Sequence, residues 1–213
     1  MLKKAIFDMD GLIFDSERLF MRCLSEIAQK QGYTITEEIY SHTLGLSYKD
    51  CETYMKSVYG EGYPFKENSA AARSAMAVLA ESGLPVKDGI RELLEYLYRN
   101  KVECVVASSS ETKYIRSYLE SAGLLQYFTE LTGGETVTHS KPEPDIFIKA
   151  LGDTPKENAV IFEDSENGLI AAQRAGIRAI CIPDMKLPSE EVLSGVFACI
   201  ENAHEVIKLE GLL

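Results

Sequence analysis

The 213 residues contain no apolar run long enough to cross a membrane, no internal repeat and no low-complexity tract. The start of the chain, Met1-Leu2-Lys3-Lys4, leads into a short run broken by Asp8 and Asp10. Neither a signal peptide nor a membrane span is expected there. Positive charge is scarce as well. Lys and Arg number 22 against 33 Asp and Glu, a net charge of −11. That sign argues against a nucleic-acid backbone or an anionic membrane as partner. It leaves room for a small anionic substrate, because a metal ion and one or two lysines reverse the field locally. The five cysteines, Cys23, Cys51, Cys104, Cys181 and Cys199, are odd in number, and no two stand at metal-ligand spacing. Reduced, buried thiols in a cytoplasmic protein are expected. No exposed heptad or apolar stripe argues for assembly, so a monomer is expected.

What is present is an ordinary globular composition, 46% hydrophobic and 26% charged, in a chain long enough to bury a proper core. Short apolar runs read as buried strands at Ala5-Ile6-Phe7, Val102 to Ala107, Ala159 to Phe162 and Ala179 to Ile182. Phe128 to Leu131 and Val196 to Ile200 are weaker candidates. Helical spacing separates them: Ile90 to Leu97 behind a possible cap at Asp88, Tyr114 to Leu119 after a serine cluster, Ile146 to Ala150 after Pro144, and Leu169 to Ala175 before Gly176. Alternating strands and helices predict an α/β fold with a doubly wound, mainly parallel, Rossmann-like sheet. From Ser16 to about Gly83 only helical patterns occur: Leu19 to Gln29, Thr36 to Tyr40, Tyr48 to Tyr59 and Ala70 to Leu79. The expected organisation is therefore a core of residues 1–15 and 84–213 with a small helical cap, 16–83, inserted after the first strand.

In open α/β sheets, ligands bind outside the carboxyl ends of the strands. The residues that follow the apolar runs are Asp8, Asp10 and Gly11, then Ser108, Ser109 and Ser110, then Glu163, Asp164 and Ser165. Lys141 stands between them, before a proline-rich turn. Each feature alone is commonplace, since paired aspartates form turns and serines cap helices. Together they bring four carboxylates, hydroxyls and a lysine to one edge. Gathered hard oxygen ligands suit Mg²⁺, which cancels charge on carboxylates and phosphate together. Asp8 would then be a nucleophile that forms an acyl phosphate. Asp10 would protonate the leaving oxygen and later activate water. Ser108 and Ser109, with nearby N–H groups, and Lys141 would hold the phosphate.

Asp8-Met9-Asp10-Gly11, Ser108, Lys141-Pro142 and Glu163-Asp164 resemble the four motifs of the haloacid dehalogenase-like hydrolase superfamily. The run from Asp164 to Gly168, with Ala171, Ala172, Ala175 and Gly176, resembles its β-phosphoglucomutase-like branch. The resemblance implies a cap that closes over the site and governs selectivity. It implies Asp8, Asp10 (through its carbonyl), Asp164 and a binding or supporting Glu163 around Mg²⁺. Dehalogenases of the superfamily lack the second Asp, so dehalogenation is not expected.

A sugar phosphomutase of this branch would carry a histidine where Phe20 stands. It would also carry a lysine before the glycine of Thr43-Leu44-Gly45-Leu46-Ser47-Tyr48-Lys49, and an arginine shortly after. Leu44 and Tyr48 occupy those places, although Lys49 or Arg18 offers a substitute cation. Glu17, Phe20, Leu44, Tyr48 and Lys49 are the cap candidates for substrate contact. The expected activity is Mg²⁺-dependent hydrolysis of a small phosphorylated metabolite such as a sugar phosphate. A β-phosphoglucomutase-like mutase and a non-catalytic metal- or phosphate-binding regulator are the alternatives.

Overall fold

The computed structural model of the chain describes residues 1–44, 46, 48–81 and 83–209. Gly45 and Ser47 of the cap stretch named above lie outside them. The chain divides into two compact units, Met1–Asp15 with Leu84–Leu213, and Ser16–Gly83.

The first unit is built on a six-stranded parallel sheet. Its strands are β1 (Lys4–Phe7), β2 (Glu103–Ser108), β3 (Phe128–Gly133), β4 (Ala159–Glu163), β5 (Ala179–Cys181) and β6 (Ala198–Cys199). The order across the sheet is β3-β2-β1-β4-β5-β6. The chain therefore starts in the middle and winds outward both ways, as the alternating pattern predicts. Both weaker strand candidates form, as β3 and β6. The central strands carry continuous apolar runs because helices cover both faces of the sheet. Phe7 stacks on Phe162 at 4.7 Å between ring centroids and meets Phe128 edge to face at 5.7 Å, tying β1, β4 and β3 into one core.

The helices of this unit are α5 (Ile90–Arg99), α6 (Thr112–Ser121), α7 (Asp145–Leu151), α8 (Glu166–Ala175) and α9 (Glu190–Leu193), numbered after the four of the second unit. Ile90, Leu93, Leu94 and Leu97 of α5 are all buried, the stripe that their spacing demands. Asp88 is not its cap: the N-cap is Gly89, and no side chain bonds there. The reason is steric. The chain near His204 crosses so close to Gly89 that a Cβ would meet the His204 nitrogen at 2.6 Å, so a capping side chain has no room. The serines do not cap α6 either, whose N-cap is Glu111. Gly176 closes α8 as expected.

The second unit is helical throughout its described residues: α1 (Ser16–Gln29), α2 (Glu37–Ser41), α3 (Tyr48–Tyr59) and α4 (Phe65–Glu81). Helix α4 starts five residues before the apolar spacing predicts. Its first turns, Lys66-Glu67-Asn68-Ser69, are polar and read as loop. Yet Asn68 and Ser69 are buried, and the Asn68 N–H already donates to the Pro64 carbonyl at 3.0 Å. Tyr33, Tyr59 and Tyr63 form an aromatic cluster with centroids 5.0–5.4 Å apart.

All five cysteines are free thiols, but only Cys23, Cys104 and Cys181 are buried; Cys51 is half-buried and Cys199 exposed. Cys199 sits on β6, the strand at one edge of the sheet, paired with Cys181 of β5. No helix of the described residues is long and apolar enough to cross a membrane.

Candidate active site

Parallel strands end together, so residues far apart in sequence meet at one edge. Phe7 of β1 pairs with Val106 of β2 and Phe162 of β4. That register sets Asp8 next to Glu163 and brings Ser108 to the same level. The Lys141 ammonium bridges Asp8 Oδ1 at 2.5 Å and Glu163 Oε1 at 2.7 Å. The other Glu163 oxygen accepts from the Ser165 N–H at 2.7 Å and its hydroxyl at 3.0 Å. Ser165 also caps α8, its Oγ accepting from the Gly168 N–H at 3.2 Å.

Glycine makes two of these approaches possible. Gly11 turns with φ +82°, and a Cβ there would collide with the Asp164 carboxylate. A Cβ at Gly168 would overlap the Glu163 carboxylate. Asp10 takes a different environment from Asp8. Its Oδ2 accepts from the Ser110 hydroxyl at 2.8 Å and from the Ser108 hydroxyl at 3.4 Å. The Ser110 N–H donates to Ser108 Oγ at 3.0 Å. Ser109 is exposed and its side chain makes none of these bonds, so Ser110 is the partner that the sequence reading passed over. Strand parity signals it, because residues two apart share a face.

The electrostatics are those of a buried acidic cluster bridged by the Lys141 ammonium. Burial pushes the Asp8 carboxyl up to about 7 against the pull of Lys141, and Glu163 and Asp10 add to the rise. Burial, then Glu163 and Asp8, lift Asp164 well above the usual carboxylate range. Burial works to lower Lys141, but Asp8 and Glu163 more than offset it and raise it. Oxygens of Asp8, Glu163 and Asp164 lie within 4.8 Å of one another. Asp164 Oδ1 is buried with no hydrogen-bond partner among the described residues. An acceptor left bare beside two further carboxylates is what a hard cation requires, so these residues fit Mg²⁺. Asp10 is not in that group of three.

The structure also joins residues that no sequence pattern marks. Lys87 donates to the Gly11 carbonyl at 2.7 Å and to Asp184 Oδ1 at 2.8 Å. Both are lone polar residues in loops, outside any periodic pattern.

The second unit has a cavity of about 220 Å³ of its own. Glu17, Phe20, Leu44 and Tyr48 line it and Lys49 does not; Tyr40, Met55, Phe65 and Arg73 join them. The Tyr40 hydroxyl donates to Glu17 Oε2 at 2.7 Å. The Arg73 guanidinium lies over the Tyr48 ring at 5.3 Å.

A doubly wound parallel sheet with an acidic, lysine-bearing edge and a helical insert after its first strand defines an α/β enzyme class. The comparisons with known proteins name it. The family model described as haloacid dehalogenase-like hydrolase matches residues 5–182. The chain belongs to that family. It is 30% identical to the "Probable pseudouridine-5'-phosphatase" of Drosophila melanogaster over 87% of this chain and 84% of that one. It is 30% identical to hexitol phosphatase B of Escherichia coli K12, over 84% and 82% of the two chains. The crystal structure of CbbY from Rhodobacter sphaeroides in complex with phosphate superposes with a TM-score of 0.73 at 25% identity, covering 97% of this chain and 96% of that one.

Proposed function

We propose that the chain is a Mg²⁺-dependent phosphatase that hydrolyses a small phosphorylated metabolite through an aspartyl-phosphate on Asp8. The observation that carries this is the buried Lys141 ammonium bridging Asp8 and Glu163 beside the bare Asp164 oxygen. The relatives bearing phosphatase names support the reaction class.

Asp8 attacks the phosphorus, and the bond to the ester oxygen breaks. Asp10 gives that oxygen its proton. Ser108 and Ser110 donate to Asp10 Oδ2, which leaves Oδ1 to carry the proton. Asp10 then takes a proton from water, which attacks the aspartyl-phosphate, frees phosphate and restores Asp8. Lys141 offsets the charge that an anion meets when it attacks an anion. Mg²⁺, held by Asp8 and Asp164 with Glu163 beside them and the Asp10 carbonyl completing the set, would neutralise carboxylates and phosphate together. Selectivity would reside in the cap cavity, through Glu17, Phe20, Leu44 and Tyr48.

Arg73 favours a second reading. A mutase needs a cation in the cap to hold a second phosphate, and Arg73 lines the cavity where Phe20 and Leu44 supply none. A panel of phosphate esters with Mg²⁺ tests both. Released phosphate is expected. Conversion of a sugar 1-phosphate to its 6-phosphate with a bisphosphate primer and little free phosphate would select the mutase. No turnover of any ester overturns both.

A further inference from the structure

Three segments of the core unit meet at one side chain. Lys87 lies just after the return from the insert, and its N–H donates to the Ile13 carbonyl at 2.9 Å. Its ammonium reaches the Gly11 carbonyl and Asp184, which follows β5. Backbone and side chain therefore grip the same loop, the one that leaves Asp10. The Asp184 side chain is 3% exposed and that of Lys87 18%, so the pair is largely withdrawn from water. Removing Lys87 takes a charged partner from the buried Asp184 carboxylate and the donor from the Gly11 carbonyl.

We propose that Lys87 is a positioning residue for the carboxylate cluster, acting through the Gly11 carbonyl and the Asp184 carboxylate. Gly11 packs on Asp164 so tightly that no Cβ fits between them. Freeing the Gly11 carbonyl lets that turn drift, and with it the wall behind Asp164 and the backbone beside Asp10. Asp184 is also near enough to act on Asp164 electrostatically. Lys87 fixes where that carboxylate sits. The bonds of Lys87 go to Gly11 and Asp184, so it acts through them rather than on substrate.

This inference rests on the Mg²⁺-dependent reading above, and binding of Mg²⁺ alone, measured by titration calorimetry, tests it apart from turnover. Lys87→Met is expected to weaken Mg²⁺ binding by about 10–100-fold, the range typical for partners that orient metal ligands. Turnover should fall mainly in kcat. Lys87→Arg should recover much of the affinity. Should Lys87→Met fail to fold, Lys87→Gln, one bond shorter than lysine, cannot hold the Gly11 carbonyl and Asp184 together and should also weaken binding. A folded Lys87→Met or Lys87→Gln protein that binds Mg²⁺ like the parent overturns the proposal. So does a loss that Lys87→Arg does not recover. If the parent released no phosphate while Lys87→Met still weakened Mg²⁺ binding, the phosphatase reading would fall and the positioning role would stand.

Discussion

Asp8 holds its proton up to about 7, against 3.8 for the ordinary group, because burial outweighs the pull of Lys141. Between those values the folded state binds a proton that the unfolded chain has released. Stability without metal is therefore expected to fall as pH rises from about 4 to about 7, and to level off above that range. Lys141 is shifted upward, so its contribution persists through the window and is lost only at higher pH. A metal needs the deprotonated carboxylate. The rise in melting temperature on adding Mg²⁺ should thus be larger at pH 8 than at pH 6, by differential scanning fluorimetry; equal shifts would count against a metal on Asp8. Asp8→Asn is expected to reduce phosphate release roughly 10⁴-fold or more, the scale seen when a nucleophile is removed. Asp8 and Glu163 were legible in the sequence because each follows a strand-like apolar run, and parallel strands end at one edge; Lys141 stood out only as a lysine before a proline-rich turn. Ser110 was visible as one of three serines, but its bond to Asp10 was not; Lys87 was not legible at all, because a lysine in a loop carries no period, and only the third dimension supplies its partner.

Helices show where local preference and packing disagree. Within α8, Gly168 looks replaceable, since Ala in a helix interior is favoured over Gly by about 1 kcal/mol. Yet the Cβ would lie inside the Glu163 carboxylate, and overpacking costs roughly 1–3 kcal/mol. Gly168→Ala is therefore expected to destabilise the protein in urea denaturation, and to lower turnover by displacing the glutamate that Lys141 bridges. A gain in stability would show that Glu163 moves aside freely. The same conflict explains what the sequence hid at this scale. Strands and helix centres were legible from apolar spacing, because burial enforces that spacing. The start of α4 was not, because its first turns bury Asn68 and Ser69, which read as loop residues. The start of α5 at Ile90 was legible, but its cap was misplaced at Asp88, because the close passage of the chain near His204 is a long-range contact that no local pattern records.

At the scale of the whole molecule, the chain is two units with separate interiors, and the three carboxylates that could hold a metal, Asp8, Glu163 and Asp164, all belong to one of them. A ligand stabilises only those states in which its site is formed. Mg²⁺ alone should therefore slow amide hydrogen exchange within residues 1–15 and 84–209 and leave residues 16–83 unchanged. Strand β1 and strand β4 should respond most, because they carry Asp8 and Glu163 and pair with each other. Adding a turnover-resistant mimic of the phosphate ester should extend protection to α1 and α3 of the insert, whose Glu17, Phe20 and Met55 line its cavity. Proteins open locally in contiguous cooperative units, so the two ligands separate two kinds of contribution. Protection of the insert by Mg²⁺ alone would mean that the metal is sensed beyond the core. Its absence with the mimic would remove the cavity from recognition and move selectivity to the core's own loops.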